Sequence, residues 1–210
     1  LEAIMRFHSS KLSLALSSIL VAGLSAAAHA QTDLALSFYG AFSGSTNTNT
    51  AGNTTFTESP SNAAGGMFEL RHIRNPIIGY EATYSFNRAN QVYSANCSLC
   101  TPVGVSANAH EISGDWVVSL HAANLRPFGL LGLGLLLNQP TSSQAETRSS
   151  NQAVYVYGAG LDWGVLPHIG LRFQFRGNVH RAPDITTAYG VSTLAYSHTA
   201  EPMIGAYFRF

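Results

Sequence analysis

The sequence predicts an all-β chain: an eight-stranded, antiparallel, up-and-down transmembrane β-barrel with short periplasmic turns and long extracellular loops, after a cleaved signal peptide. Three observations carry this expectation. Eight stretches alternate apolar with polar or small residues at period two, the pattern of strands with unlike faces. The links between them alternate between short and long, as in outer-membrane barrels. Across 210 residues the chain is 46% hydrophobic and only 10% charged, where an ordinary soluble domain carries roughly 25% charge.

The first thirty residues have the form of an export address. Met5 is followed by Arg6 and Lys11, then by an apolar stretch from Leu12 to Leu24 broken by serines and Gly23, and then by Ala28-His29-Ala30 before Gln31. A basic start, an apolar middle and an A-x-A end predict a signal peptide over 1–30. Leu1 to Ile4 precede the expected initiator and look like a start-site artefact. The apolar stretch is shorter than the ~20 residues of a membrane helix, so cleavage after Ala30 is expected, leaving 31–210 as the barrel domain.

The first strand is read from Asp33 to Phe42, with Leu34, Leu36, Phe38 and Phe42 on one face. The second covers Met67 to Arg74 and sets Phe68 and Leu70 against Glu69 and Arg71. In the third, Ile78, Tyr80, Ala82, Tyr84 and Phe86 oppose Gly79, Glu81, Thr83, Ser85 and Asn87. The fourth lies near Ala107 to Val118, with Ile112, Trp116 and Val118 against Glu111, Ser113 and Asp115. The fifth puts Leu131, Leu133, Leu135 and Leu137 opposite Arg126, Gly132 and Gly134, although Phe128, Leu130 and Leu136 then fall on the inner parity. The sixth opposes Tyr155, Tyr157, Leu161 and Trp163 to Gly158, Gly160 and Asp162. The seventh sets Ile169, Leu171, Phe173 and Phe175 against Gly170, Arg172, Gln174 and Arg176. The eighth sets Tyr196, Ile204, Ala206, Phe208 and Phe210 against Ser197, Thr199, Glu201, Gly205, Tyr207 and Arg209. Short links are expected at Asn75-Pro76, Ser119 to Asn124 and Val165 to His168, and long polar loops near 43–64, 88–106, 138–151 and 181–193. Both chain ends then fall on the periplasmic side.

The inward face carries the charge. At each of the four periplasmic strand joins an acid and an arginine fall at comparable heights on neighbouring strands: Arg71 with Glu81, Asp115 with Arg126, Asp162 with Arg172, and Arg209 with Asp33 across the closing seam. An isolated ion in a poorly hydrated lumen is very costly, so pairing is expected. A higher layer would hold Glu69, Glu111, Arg176 and Glu201, with acids in excess. Eight strands enclose an interior that side chains can fill, so this network reads as a plug.

Other chemistry is sparse. Eleven basic and eleven acidic residues cancel, which leaves no cationic footprint for nucleic acid. Cys97 and Cys100 lie in a loop with no second C-x-x-C, so a local disulfide is expected rather than a metal site. His110, His180 and His198 are read as residues of the outer rim, and His72, His121 and His168 as residues of the inner one. Ser197 and His198 stand near Glu201, but adjacent strand residues point to opposite faces and cannot easily share a proton. No catalytic group, cofactor or metal is expected.

The last strand ends Tyr207-Phe208-Arg209-Phe210, with aromatics at alternate positions up to the terminus. This resembles the signal, here Phe208 and Phe210, that the outer-membrane assembly machinery recognises. With the strand count, residues 31–210 resemble the small eight-stranded barrels typified by the membrane domain of outer-membrane protein A. The resemblance implies an integral outer-membrane protein, with outer-membrane lipid and lipopolysaccharide and the assembly machinery as partners. An extracellular partner would be reached through the long loops. No wall-binding domain follows Phe210, so a wall-tethering role is not expected. The expected role is a non-enzymatic scaffold displaying loops; the alternatives are a narrow channel for small solutes or ions and a lipid A-modifying enzyme.

Overall fold

The computed structural model describes residues 31–49, 54–75, 77–97, 99–141, 147–186 and 195–210. The signal peptide expected over 1–30 lies outside them, as do Pro76 of the first short link and Ser98 between the cysteines. The strands are β1 (Gln31–Ser43), β2 (Thr46–Asn49), β3 (Thr55–Pro60), β4 (Ala63–Ile73), β5 (Ile78–Ala95), β6 (Val103–Ser119), β7 (Leu125–Pro140), β8 (Ser150–Gly164), β9 (Ile169–Arg181) and β10 (Tyr196–Arg209). Eight of these close a ring in the order β1-β4-β5-β6-β7-β8-β9-β10. Every pairing is antiparallel, and Asp33 lies level with both Arg209 and Arg71, so β1 is the seam. Closure leaves no unpaired edge around the ring, the condition for taking strands into hydrocarbon.

The period-two pattern explains which residues face where. Leu36, Phe38, Leu131, Leu133, Leu135 and Ile204 are more than half exposed, while seven of the eleven acids and four of the ten arginines are buried inside the barrel. A soluble core has the opposite arrangement. The outer girdle is therefore a surface for hydrocarbon, and the inside is the polar phase. The interior also holds apolar clusters on two walls, one of them Tyr39, Ala41, Met67 and Met203 on β1, β4 and β10. Phe128, Leu130 and Leu136 turn inward as their parity requires and pack with Val117, Val154 and Val156. Gly160 makes this possible, because a Cβ there would sit 2.4 Å from the Phe128 ring.

One end of the barrel has tight turns. Asn75 Oδ1 accepts from the N–H groups of Ile77 and Ile78 at 3.0 and 2.8 Å, and Ala123 takes a left-handed φ of 57° in the turn before β7. The other end departs from expectation. The stretch 88–106 is not simply a loop: β5 and β6 stay paired up to Tyr93 opposite Val103. Their 18 and 17 residues exceed the ~9–11 that cross a membrane. A weaker alternation sustains the pairing, with Tyr93, Val105 and Ala107 buried and Arg88, Asn90 and Val92 exposed. Within 43–64 the chain forms the β2–β3 hairpin, and β3 adds to the upper part of β5 from Phe56 opposite Ala95 to Pro60 opposite Gln91. Threonine-rich sequence is compatible with strand, and the free side of the β5 extension supplies a partner.

Leu133→Arg puts a charge at the middle of the girdle. It is expected to destabilise the barrel refolded in lipid by about 2–4 kcal/mol, measured by urea titration of folded and unfolded bands.

Candidate functional site

Turn-end charges form a single network rather than four separate pairs. Asp162 on β8 is its centre. Its Oδ2 accepts from Arg126 Nη2 at 2.7 Å, and from Arg71 Nη1 and Arg172 Nη2 at 3.2 Å, while its Oδ1 accepts from Arg172 Nε at 2.7 Å. Arg71 Nε donates to Glu81 at 2.6 Å. Arg172 Nη1 reaches Glu69 at 2.5 Å and Glu81 at 3.3 Å. Asp33 takes Arg126 from across the barrel and Arg209 Nε at 3.2 Å from the neighbouring strand. Four arginines thus meet four acids. The Arg71 guanidinium also lies 3.9 Å from the Phe128 ring centroid, a cation–π contact in a water-poor setting.

The expected pairs Arg71–Glu81, Asp162–Arg172 and Arg209–Asp33 are in contact, and the expected pair Asp115–Arg126 is not. This is a correction with a simple cause. Asp115 lies level with Gly132 on β7, whereas Arg126 lies level with Asp162, so the two are displaced along the barrel. Glu69 likewise belongs to the lower network rather than the upper layer, because Arg172 reaches it over the intervening strands. Arg71 with Asp162, Arg126 with Asp33 and Arg172 with Glu81 each join strands four apart in a ring of eight.

Above this network Arg176 faces three acids. Its Nη2 is 2.9 Å from Glu111 Oε1 and 3.7 Å from Asp115 Oδ2, and it donates to Ser113 Oγ at 2.7 Å. Glu201 lies beside Arg176 in register and is 3% exposed. Its Oε2 has no hydrogen-bond partner among the described residues. Asn178 Nδ2 donates to Glu111 at 2.9 Å. Above these groups lies a cavity of about 60 Å³ lined by Glu111, Glu201, Asn178, Asn138, Gln91 and His180, among others. Asn178 and His180 continue the inward parity of Arg172, Gln174 and Arg176, a signal already present in the sequence. His180 is therefore a lumen residue, not one of the outer rim.

A short segment caps the cavity. Ile185 is fully buried against Tyr93, Val105 and Ala107, and the Tyr93 hydroxyl donates to the Pro183 carbonyl while accepting from Ile185 N–H at 3.3 Å. Burial, reinforced by nearby Glu58, holds the Tyr93 hydroxyl well above its ordinary pKa, so it stays a donor. Arg148 pairs with Asp184 on the outside of the cap. No sequence pattern pointed to this cap, because 182–186 has no strand period.

Elsewhere, Cys97 and Cys100 are joined by a disulfide near the tip of the β5–β6 extension. Ser197 is buried in the interior. His198 faces outward to the Tyr157 hydroxyl at 2.5 Å. Phe208 and Phe210 are about half exposed and tilted against each other at 6.0 Å between centroids. Among the described residues no group of three or more His, Cys, Asp or Glu is placed to hold a metal ion.

The family model for the outer membrane protein beta-barrel domain matches residues 16–195. Among solved structures, the outer membrane protein OprG from Pseudomonas aeruginosa is similar with TM-score 0.58 and 11% identity, covering 86% of this chain and 95% of that one. Ail, the attachment invasion locus protein of Yersinia pestis, solved in complex with the heparin analogue sucrose octasulfate, gives TM-score 0.52 and 16% identity over 86% of this chain and 99% of its own. Neisserial surface protein A gives TM-score 0.52 and 10% identity over 86% and 97%. At these identities the likeness is one of fold. No curated protein matches in sequence.

Asp162→Ala strips one carboxylate from three buried guanidinium groups and is expected to cost about 3–5 kcal/mol. Arg209→Ala, at a pair that is partly exposed, is expected to cost about 1 kcal/mol or less. Urea unfolding of both variants in the same detergent checks the ratio.

Proposed function

The chain belongs to the outer-membrane β-barrel domain family and is an outer-membrane protein, and from that premise we propose that it is a non-enzymatic, non-conducting barrel whose role is to present its loop end outside the cell. One observation carries the reading. The guanidinium groups of Arg71, Arg126 and Arg172 meet acids on the far wall, with side chains 0–3% exposed, so the lumen has no continuous water path at that height. The short turns and both chain ends are periplasmic, and the long loops face out.

The scaffold continues beyond the span through the β5–β6 extension, the β2–β3 hairpin and the 182–186 cap. Loop residues supported this way are well placed for binding. Ail was solved with a sulfated sugar. Here the loop-end cations among the described residues are Arg88, Arg148 and Arg181, and Arg148 is already paired with Asp184. A neutral, polar partner suits this surface better than a polyanion. Separation of Ser197 and His198 onto opposite faces speaks against lipid A chemistry there. Outer-membrane lipid, lipopolysaccharide and the assembly machinery, acting through Phe208 and Phe210, complete the partners proposed.

Purified protein in a planar bilayer is expected to give no steady current. A large, steady open level would contradict the blocked lumen. On intact cells, added protease is expected to cut the long loops and spare the strands; cleavage confined to the short turns would reverse the orientation.

A further inference from the structure

The upper lumen has an unbalanced charge. The network around Asp162 is neutral, with Arg71, Arg126, Arg172 and Arg209 against Asp33, Glu69, Glu81 and Asp162. Above it Glu111, Asp115 and Glu201 face the single cation Arg176. His180 makes no ion pair with these acids: its Nδ1 lies 2.8 Å from the Arg181 carbonyl and its Nε2 faces the Thr199 hydroxyl at 3.4 Å. With all three acids ionised, two negative charges would be left over in a buried space, where an uncompensated ion is strongly disfavoured, so the site calls for protons or a cation.

The unpartnered atoms show what kind of group would compensate them. Asn178 is 2% exposed, and its orientation is fixed because its Nδ2 donates to Glu111. Its Oδ1 is left without a partner among the described residues, as is Glu201 Oε2. Both residues line the cavity, together with Glu111. The floor formed by Glu111, Glu201 and Asn178 is thus rich in acceptors and acidic, while Asn138 Nδ2 is an unpartnered donor elsewhere in the lining. A primary ammonium group carries one positive charge and three donors. Access is from the loop end, where solvent-exposed Ser61 and the capping residue Pro183 line the same cavity.

We propose that this cavity binds the ammonium head of a small protonated amine. Glu111 and Glu201 supply the counter-charge, and Asn178 Oδ1 accepts one of its N–H groups. The volume of about 60 Å³ suits a head of a few heavy atoms, and the acceptors around it favour a head that carries N–H donors over a quaternary one, which has none. The inference does not rest on the lower network being sealed: bilayer current tests that, and amine binding can fail or succeed by itself.

The test uses the whole barrel refolded in detergent micelles at fixed pH and ionic strength. Its urea midpoint is followed with methylammonium chloride and, separately, with tetramethylammonium chloride, which has the same charge and no N–H donor. Methylammonium is expected to raise the midpoint saturably, as a ligand of the folded state must, and tetramethylammonium is not. Glu201→Gln keeps the shape and removes the charge, and it is expected to weaken the methylammonium effect about tenfold or more. Equal responses to the two salts would overturn the proposal, as would an unchanged response in Glu201→Gln, because protons would then be neutralising the acids. Should that variant fail to refold, the comparison of the two salts on the unaltered protein decides alone.

Discussion

Everything in this barrel depends on charges buried inside it that must find partners in one another. An apolar girdle requires that polar side chains face inward, and a ring of eight strands leaves so narrow an interior that side chains from opposite walls touch. Asp162 accepts from three guanidinium groups, and none of the three lies on its own strand. Buried ion pairs of this kind are not a large net source of stability, since desolvation consumes most of the attraction. Their effect is on uniqueness. Once three arginines must reach acids on the far side, any slip of register leaves a bare ion behind, so the network fixes the pairing that the apolar outer face alone would leave loose.

The same constraint explains how the molecule divides into three zones. Near the turns, cations and anions balance and their side chains are buried. Near the middle, acids outnumber Arg176 and amide side chains take over, so space opens above Glu111 and Glu201. At the loop end, Tyr93, Val105, Ala107 and Ile185 form a small apolar cluster of their own, and the strands run on past the span because this cluster supports them.

Much of this was legible in the sequence. Side-chain parity has period two, so the alternation of Ile169 to Arg176 or Ile78 to Asn87 states which residues meet lipid, and short links state which strands adjoin. The same logic found the contacts of Arg71 with Glu81 and Arg172 with Asp162, which are lateral neighbours. It missed Arg126 with Asp33, because that contact spans the lumen and depends on the barrel's diameter, which no local pattern encodes. It misplaced Asp115 because register depends on the turn at Ala123. It also treated 88–106 as loop: Tyr93 and Val105 are buried against Ile185, which lies 92 residues from Tyr93 in the chain.

The most direct test of the central claim is a double-mutant cycle on Asp33 and Arg126, which face each other across the lumen. Stabilities of Asp33→Asn, Arg126→Gln and the double variant would be measured by urea unfolding in one detergent. Cross-lumen pairing predicts that the two losses do not add, with a coupling of about 1–3 kcal/mol. Losses that add to within about 0.5 kcal/mol would mean that the two walls act independently, contradicting the account.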